Sequence, residues 1–318
     1  MSGKKTEILT DVSDAATNLP DPVRKGLAIA IGKMLGGLAE YSSAWMQRAI
    51  RSIEDTTTGR STVADILAKG VAEEALKDPA IMQAAAEIYL PSTVRKVINK
   101  AQVARLAIDR ASETSTDGAK AAAPDDDWMN AFMRFAEDAS SDRLQDLLGR
   151  ILAGEVVRPG SFSLSTVRTI GELDQSIAKD FSLVWAKSVG VAVDYSPEFR
   201  RGDWFARWKR LAEAGLMAVS DTVQFLPDFK PTVNGNALWT PMSSEEVFLT
   251  VYFNQKCDAQ WRHIDFTRIG REIGSILAPP DYRANIREAG RKFSGKGVTR
   301  VELHSTGAPF ELLYRAPA

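Results

Sequence analysis

The sequence contains few of the side chains on which most enzymes and metal sites depend. Its 318 residues include one cysteine, Cys257, and two histidines, His263 and His304. A single cysteine excludes an intrachain disulfide and fits a reducing compartment. Two histidines leave few candidates for general acid–base catalysis, and a zinc site usually takes three or four histidine or cysteine ligands. We therefore predict no catalytic residue, no cofactor and no bound metal. We expect a protein that acts by binding, with catalysis unsupported.

A strong excess of one charge and a long apolar run are also absent. The formal net charge is −1 at pH 7, so a nucleic acid would have to bind a local patch rather than a field covering the whole surface. The most apolar segment, residues 26–39, is shorter than the roughly 20 residues of a spanning helix, and Lys33 interrupts it. The amino terminus MSGKKTEILTD lacks the apolar core of a signal peptide. These absences predict a cytoplasmic protein with no transmembrane span.

Residues 26–53 nevertheless carry an amphipathic pattern. One apolar stripe recurs at helical spacing and comprises Leu27, Ile31, Met34, Leu38 and Trp45. With the neighbouring arginine and lysine side chains facing anionic headgroups, this stripe would suit a membrane surface. The alternative is burial in the protein's own core or in the seam of a homo-oligomer, where such stripes are usually found.

The most regular part of the chain is residues 128–185. Apolar residues recur there at helical spacing in four successive runs, which begin near Trp128, Leu144, Leu164 and Ile177. The last three runs follow residues that can cap a first helical turn, namely Ser140 or Ser141, Ser163 and Asp174. Pro159 and Gly160 end the second run, because proline lacks the amide donor and glycine favours turns. The connections are short, so we predict a central block of antiparallel helices.

Within this block, LQDLLGRILAGEVVRPGSFSLSTVRTIGELDQSIAKDF resembles the central signature of the bacterial family known as domain of unknown function 2806. The matching residues include Gln145, Gly154, Glu155, Pro159, Gly160, Ser161, Phe162 and Ser163. The chain departs from the signature at Leu148, where members often carry an aromatic residue, and at residues 175–177. The resemblance implies no activity, because the family has none assigned, and the matching residues are expected to be structural. A weaker similarity of layout to abortive-infection proteins suggests phage defence, in a bacterial or prophage setting.

Changes in composition divide the chain into four predicted parts. Residues 112–127, SETSTDGAKAAAPDDD, are small, polar and acidic, as in an interdomain linker. The parts are an N-terminal helical region (1–111), this linker (112–127), the central helical block (128–190) and a C-terminal α+β domain (191–318). In the first part, Pro79 and Pro91 are each expected to begin a separate helix.

The C-terminal part is predicted to mix strands and helices, so the chain as a whole should be mainly α with a smaller α+β part. β-branched and aromatic residues predict strands at residues 217–225, EEVFLTVYF, VTRVELH and PFELLYR. Helices are predicted at about 197–214, 265–277 and 281–292. A helix ending LAEAGLM, a strand, a proline-rich excursion and another strand resemble a winged-helix domain. That layout binds DNA in some families and only packs proteins in others.

The segment RRGDWFARWKR concentrates basic and aromatic residues. Its cations are Arg200, Arg201, Arg207, Lys209 and Arg210. Cations contact phosphates and exposed aromatic rings stack on bases, so this composition suits nucleic-acid binding. Trp204 and Trp208 also fall at the spacing of a buried stripe, so packing in the core is the alternative.

Three functions therefore stay open at the level of sequence. The first is a non-enzymatic interaction protein that self-associates and binds a protein partner, in phage defence. The second is a winged-helix protein that binds nucleic acid. The third is an effector that acts at a membrane surface through residues 26–53.

Overall fold

The computed structural model describes residues 19–35, 79–114, 120–195, 197–231, 235–244, 246–295 and 297–317. Within 79–114, side chains are described at residue 92 and from 95 to 113. Contacts divide the chain into two compact units, Met1–Glu172 (unit 1) and Leu173–Ala318 (unit 2).

The regular secondary structure in the described residues of unit 1 is entirely helical. Its helices are α1 (Asp21–Leu35), α2 (Pro79–Thr114), α3 (Asp126–Asp138), α4 (Asp142–Val157) and α5 (Leu164–Gly171). Ser141 caps α4 and Ser163 caps α5, each by accepting a hydrogen bond from a backbone amide of the first turn. The sequence predicted Ser163, and it predicted Ser140 or Ser141 for the start of α4. Asp174, the third predicted cap, makes no side-chain capping bond. The expectation that Pro91 begins a new helix was wrong, because α2 continues through Pro91.

The central helix of unit 1 is α2. It packs on α4 and α3, and α3 also packs on α5. Val103, Ala107 and Ile108 of α2 are fully or almost fully buried. A Cβ on Gly149 of α4 would lie 2.7 Å from Cβ of Leu106, so the missing side chain permits the close approach of the two helices. The N-terminal helices and the signature helices therefore share one core.

The segment before α3 also packs in unit 1. The Ala122 amide donates to the Val156 carbonyl oxygen at 3.1 Å, and Pro124 is buried. The contact division accordingly falls at residues 172 and 173, whereas the predicted boundaries lie at residues 112–127 and 190. The small side chains of this segment have two explanations, a linker or a close-packed connection, and composition alone does not distinguish them.

Unit 2 combines helices with two antiparallel sheets. Its helices are α6 (Gln175–Trp185), a short 3-10 helix (Pro197–Arg200), α7 (Gly202–Glu213), α8 (Arg268–Gly274) and α9 (Tyr282–Gly290). Its strands are β1 (Ala192–Asp194), β2 (Thr222–Phe225), β3 (Ala237–Trp239), β4 (Val247–Phe253), β5 (Gln260–Asp265), β6 (Val298–Ser305) and β7 (Ala308–Arg315).

The first sheet has the strand order β1-β5-β2 and the second has the order β3-β4-β6-β7. Next to the first sheet, the rings of Phe181, Trp185 and Phe266 contact one another, with centroids 5.1 to 6.2 Å apart. The second sheet packs its inner face on α9, where Leu249, Val251 and Ile286 are fully buried. These contacts form the main apolar core of unit 2.

The prediction of a mainly helical chain with a smaller α+β C-terminal part is confirmed. The strand β4 and the helices α7, α8 and α9 lie within their predicted segments, and β6 and β7 each extend one residue beyond theirs. The strands β1, β3 and β5 were not predicted. No helix among the described ranges is both long enough and apolar enough to span a bilayer.

Candidate functional site

The basic and aromatic segment predicted from sequence begins at the last residue of the 3-10 helix and continues through most of α7. Trp208 and Leu211 of α7 are buried, and the Trp208 indole Nε1 donates to the Phe199 carbonyl oxygen at 2.8 Å. The half-buried Trp204 ring meets the Phe199 ring edge to face, with centroids 4.6 Å apart. These tryptophans therefore anchor α7 to the rest of unit 2. Trp208 is buried, and the Arg207 guanidinium lies 4.8 Å from the centroid of the Trp204 ring, so little ring surface is left for stacking on bases.

Two of the five cations are held by one carboxylate. The Nε atoms of Arg207 and Arg210 each donate to an oxygen of Asp180 on α6, at 2.9 Å. Burial raises the pKa of Asp180, but hydrogen bonds from Arg210 and Arg207 outweigh this effect, so the pKa lies below its usual 3.8. Asp180 is therefore ionised at neutral pH, and it neutralises part of the positive charge of α7.

The third cation, Arg200, contacts Tyr195, which lies just before the basic and aromatic segment. The Arg200 guanidinium donates to the Tyr195 carbonyl oxygen at 2.8 Å through Nη2, and it lies 5.1 Å from the centroid of the Tyr195 ring. Such contacts fix the arginine against the protein surface.

The remaining two cations are free to contact a ligand. Arg201, which caps the start of α7, and Phe205 and Lys209 of α7 are exposed and follow one another at intervals of four, the spacing of one helix face. Within the described residues, neither the Arg201 side chain nor the Lys209 side chain makes a hydrogen bond or an ion pair. Phe205 between them is 53% exposed. We call these three residues the α7 stripe. Asp203 and Glu213 are the exposed acidic residues of the same helix.

The predicted membrane or oligomer stripe has a different environment. Leu27, Ile31 and Met34 of α1 are at most 2% exposed and lie in the core of unit 1. The other two members, Leu38 and Trp45, lie outside the described residues. For the three described residues, the structure thus shows packing in the core. A role of the whole stripe at a membrane or between copies stays a prediction.

The family-signature residues build a loop around a buried carboxylate. Glu155 of α4 accepts hydrogen bonds from the Gly160 amide at 2.6 Å and the Phe162 amide at 2.9 Å. Burial raises the pKa of Glu155, and these amide hydrogen bonds only partly oppose the increase. The Trp128 indole donates to the Phe162 carbonyl oxygen at 2.8 Å, which ties the loop to α3. Glu155 therefore closes the turn that Pro159 and Gly160 begin.

The other signature residues have similar local tasks. Gln145 donates to the Ala139 carbonyl oxygen at 2.8 Å, and the Ser161 hydroxyl donates to the Arg158 carbonyl oxygen at 2.6 Å. A Cβ on Gly154 would lie 2.7 Å from the ring of Phe162, so this glycine makes room for that ring. The side chains of Gln145, Glu155 and Ser161 bind different backbone groups and do not form a shared polar centre.

Sequence reasoning missed Asp180. It lies on α6, 27 residues before Arg207, and no local motif marks it as the partner of the α7 arginines. Its position within a predicted apolar helix face, next to Phe181, was the available signal, because a buried carboxylate needs a cationic partner.

The described structure thus combines a helical unit, ordered around a signature loop, with an α+β unit that presents a basic surface stripe. Residues 95–201 match the model of the family described as Protein of unknown function (DUF2806). The match confirms the resemblance that the signature residues indicated, and it extends from α2 to the residue that precedes α7. No curated protein and no solved structure matches the chain.

Proposed function

We propose that the protein acts by binding, and that unit 2 binds double-stranded nucleic acid through α7 as a winged-helix module. The order of elements supports this proposal. A winged-helix domain has a first helix and strand, two further helices, and two strands joined by a wing. In unit 2 these elements correspond to α6, β1, the 3-10 helix, α7, β2 and β5, and the sheet order β1-β5-β2 is the order of that fold.

The position of α7 gives the proposal its chemistry. In this layout α7 corresponds to the recognition helix, which enters the major groove of a duplex. The observation that carries the proposal is the α7 stripe, because Arg201 and Lys209 are the members of the predicted basic cluster with no partner within the described residues. Their ammonium and guanidinium groups can contact phosphates on either side of Phe205.

Charge reversal of the stripe tests the proposal. Affinity of the full chain for a fluorescent duplex of about 20 base pairs is measured by anisotropy at roughly 50 mM salt. We expect Arg201→Glu with Lys209→Glu to weaken binding about tenfold or more, because two phosphate contacts become repulsive. Lys187→Glu with Arg291→Glu is the matched control, since it changes the net charge equally at two exposed residues outside α7.

Circular dichroism and thermal unfolding of both variants establish that the fold is retained. Equal loss of affinity in the stripe variant and in the control would leave only a nonspecific charge effect. Absence of duplex binding by the unchanged protein would reject the proposal outright.

A further inference from the structure

The four-stranded sheet has an outer face on which aromatic side chains remain exposed, although Thr250 and Glu302 in its centre are buried. Its inner face packs on α9 through Leu249, Val251 and Leu303. Because side chains alternate along a strand, the residues between them point to the opposite face. There Phe248 pairs in register with His304, and Tyr252 pairs with Arg300.

One end of this outer face is aromatic. The Phe248 and His304 rings are stacked with centroids 4.8 Å apart and an interplanar angle of 3°, and the Phe310 ring lies 5.8 Å from the His304 ring. Phe248 remains 40% exposed and Phe310 52% exposed. Both rings therefore keep exposed surface that a planar ligand can contact.

The other end is cationic. The Arg300 guanidinium lies 4.2 Å from the centroid of the Tyr252 ring, and Arg315 pairs in register with Arg300 on the neighbouring strand. Within the four strands, the one carboxylate on this face is Glu302. It is 2% exposed and lies 3.0 Å from Arg300 Nε and 3.1 Å from His304 Nε2. Glu302 offsets part of the charge of Arg300, and Arg315 leaves the face with a net positive charge, which complements a polyanion.

We propose that this outer sheet face binds single-stranded nucleic acid, with unpaired bases stacked on Phe248 and Phe310 and the phosphate backbone at Arg300 and Arg315. Exposed aromatic rings on an open sheet, beside guanidinium groups, supply the two interactions that unpaired strands require. The ring end and the guanidinium end lie four residues apart along β6, or about 13 Å, so a short strand reaches both.

This site goes beyond the proposed role of α7 and is separate from it. The α7 tryptophans pack on the protein, so α7 has few ring faces on which bases could stack. The sheet supplies the missing rings. Its strands β3 and β4 lie in the connection between β2 and β5, which is the position of the wing if the proposed layout is correct.

Binding of two labelled probes by the full chain tests the proposal. The probes are an oligothymidine of about 15 nucleotides and an abasic strand of the same length. We expect the oligothymidine to bind more tightly, and we expect Phe248→Ala with Phe310→Ala to weaken its binding about tenfold or more. The matched control is Phe225→Ala, which removes an exposed ring on the other sheet. Arg315→Glu should weaken binding of both probes, because it acts on the backbone.

The duplex probe separates the two proposals. The Phe248→Ala and Phe310→Ala variant should keep its duplex affinity, and the charge reversal of the α7 stripe should keep its oligothymidine affinity. Unchanged oligothymidine binding in the ring variant would overturn the inference, as would an equal loss with duplex. Sedimentation velocity measures whether the protein self-associates. If the unchanged protein self-associates and the ring variant is monomeric, the outer sheet face joins two copies and the inference is wrong.

Discussion

At the scale of single residues, Glu155 shows how a buried carboxylate holds a loop. Its two oxygens accept the Gly160 and Phe162 amides, which the turn after α4 leaves without helical partners. An amide that loses its acceptor inside a protein retains the full cost of desolvation. Glu155 therefore stabilises the loop through its geometry, although burial opposes its charge.

We expect Glu155→Ala to lower the free energy of unfolding by about 2 kcal/mol, because it leaves the buried Phe162 amide without an acceptor. Urea denaturation at pH 7 measures the change. Ser161→Ala is the control in the same loop. Its hydroxyl is in an exposed contact with the Arg158 carbonyl oxygen, so its effect should stay within about 0.5 kcal/mol.

The same variant has a pH dependence of defined sign. Burial raises the pKa of Glu155 above its usual 4.5, so the folded state binds this proton more tightly than the unfolded state does. The corresponding stabilisation is complete below pH 4.5 and is lost as pH rises through the folded-state pKa. The stability difference between the unchanged protein and Glu155→Ala should therefore be largest near pH 4.5 and smaller at pH 7. A difference that grows with pH would show that the amide contacts dominate.

The sequence predicted this loop, but it did not predict the hydrogen bonds that the Glu155 carboxylate accepts in it. Pro159 and Gly160 predicted the turn from their backbone chemistry, and Ser163 predicted the next cap. Glu155 carries no such local signal, because its partners become neighbours only after the chain has turned. The family resemblance included Glu155 in the signature, and the folded structure shows that its carboxylate binds backbone amides.

At the scale of helices and strands, the positive charge of α7 is reduced by a carboxylate on the neighbouring helix α6. Asp180 of α6 engages Arg207 and Arg210, while the α7 stripe stays free. The number of cations in the segment therefore overstates the positive charge that a ligand would meet. Long-range pairing of this kind is invisible in the segment RRGDWFARWKR itself.

Removing the charge of Asp180 should strengthen duplex binding. We expect Asp180→Asn to raise the affinity of the proposed site about threefold to tenfold at low salt, because two arginines would no longer share an anion. Asp174→Asn makes the same charge change at the start of the same helix, at an exposed residue without a side-chain capping bond. Anisotropy titrations of both variants give the answer. An equal increase in duplex affinity in both variants would show that net charge causes the effect, and not the loss of the ion pairs of Arg207 and Arg210.

Helix α8 packs closely on the backbone at Leu216 because it carries a glycine, Gly270, at the point of contact. An added Cβ at Gly270 would lie 2.1 Å from the Leu216 carbonyl oxygen, and a backbone atom cannot move away as a flexible side chain can. We therefore expect Gly270→Ala to lower the free energy of unfolding by about 1–3 kcal/mol in urea denaturation. Ser275→Ala, at the exposed end of α8, should change it by less than about 0.5 kcal/mol. A harmless Gly270→Ala would mean that α8 packs less closely than described.

The elements that sequence predicted and those that it missed differ in how they are stabilised. The strands β4, β6 and β7 have seven or eight residues and strongly apolar or aromatic patterns. The strands β1 and β3 have three residues each, too few to establish an alternation. β5 contains QWRHID, and it becomes a strand through pairing with β1 and β2 on both sides. Tertiary pairing, rather than local preference, determines such strands.

At the scale of the whole molecule, the two compact units differ in architecture, because unit 1 contains helices and unit 2 combines helices with two sheets among the described residues. Unit 1 joins α2 to the signature helices in one core, a union that composition did not reveal because the segment from 112 to 127 reads as a linker. Most of the family match lies in unit 1, whereas both proposed binding surfaces lie in unit 2 beyond residue 200. The match therefore concerns mainly the helical core of unit 1.

The net charge of −1 gives a last prediction for the whole chain. Binding of duplex DNA should release few counterions, because Arg201 and Lys209 are free and the exposed edge of Arg210 can add at most one contact. With a slope of about −0.9 per neutralised phosphate, log affinity against log salt should fall with a slope of about −2 to −3. Lys209→Ala should reduce the magnitude of that slope by about 1, while Lys187→Ala should leave it unchanged. A slope steeper than about −5 would require many more phosphate contacts than α7 provides and would move the duplex site elsewhere.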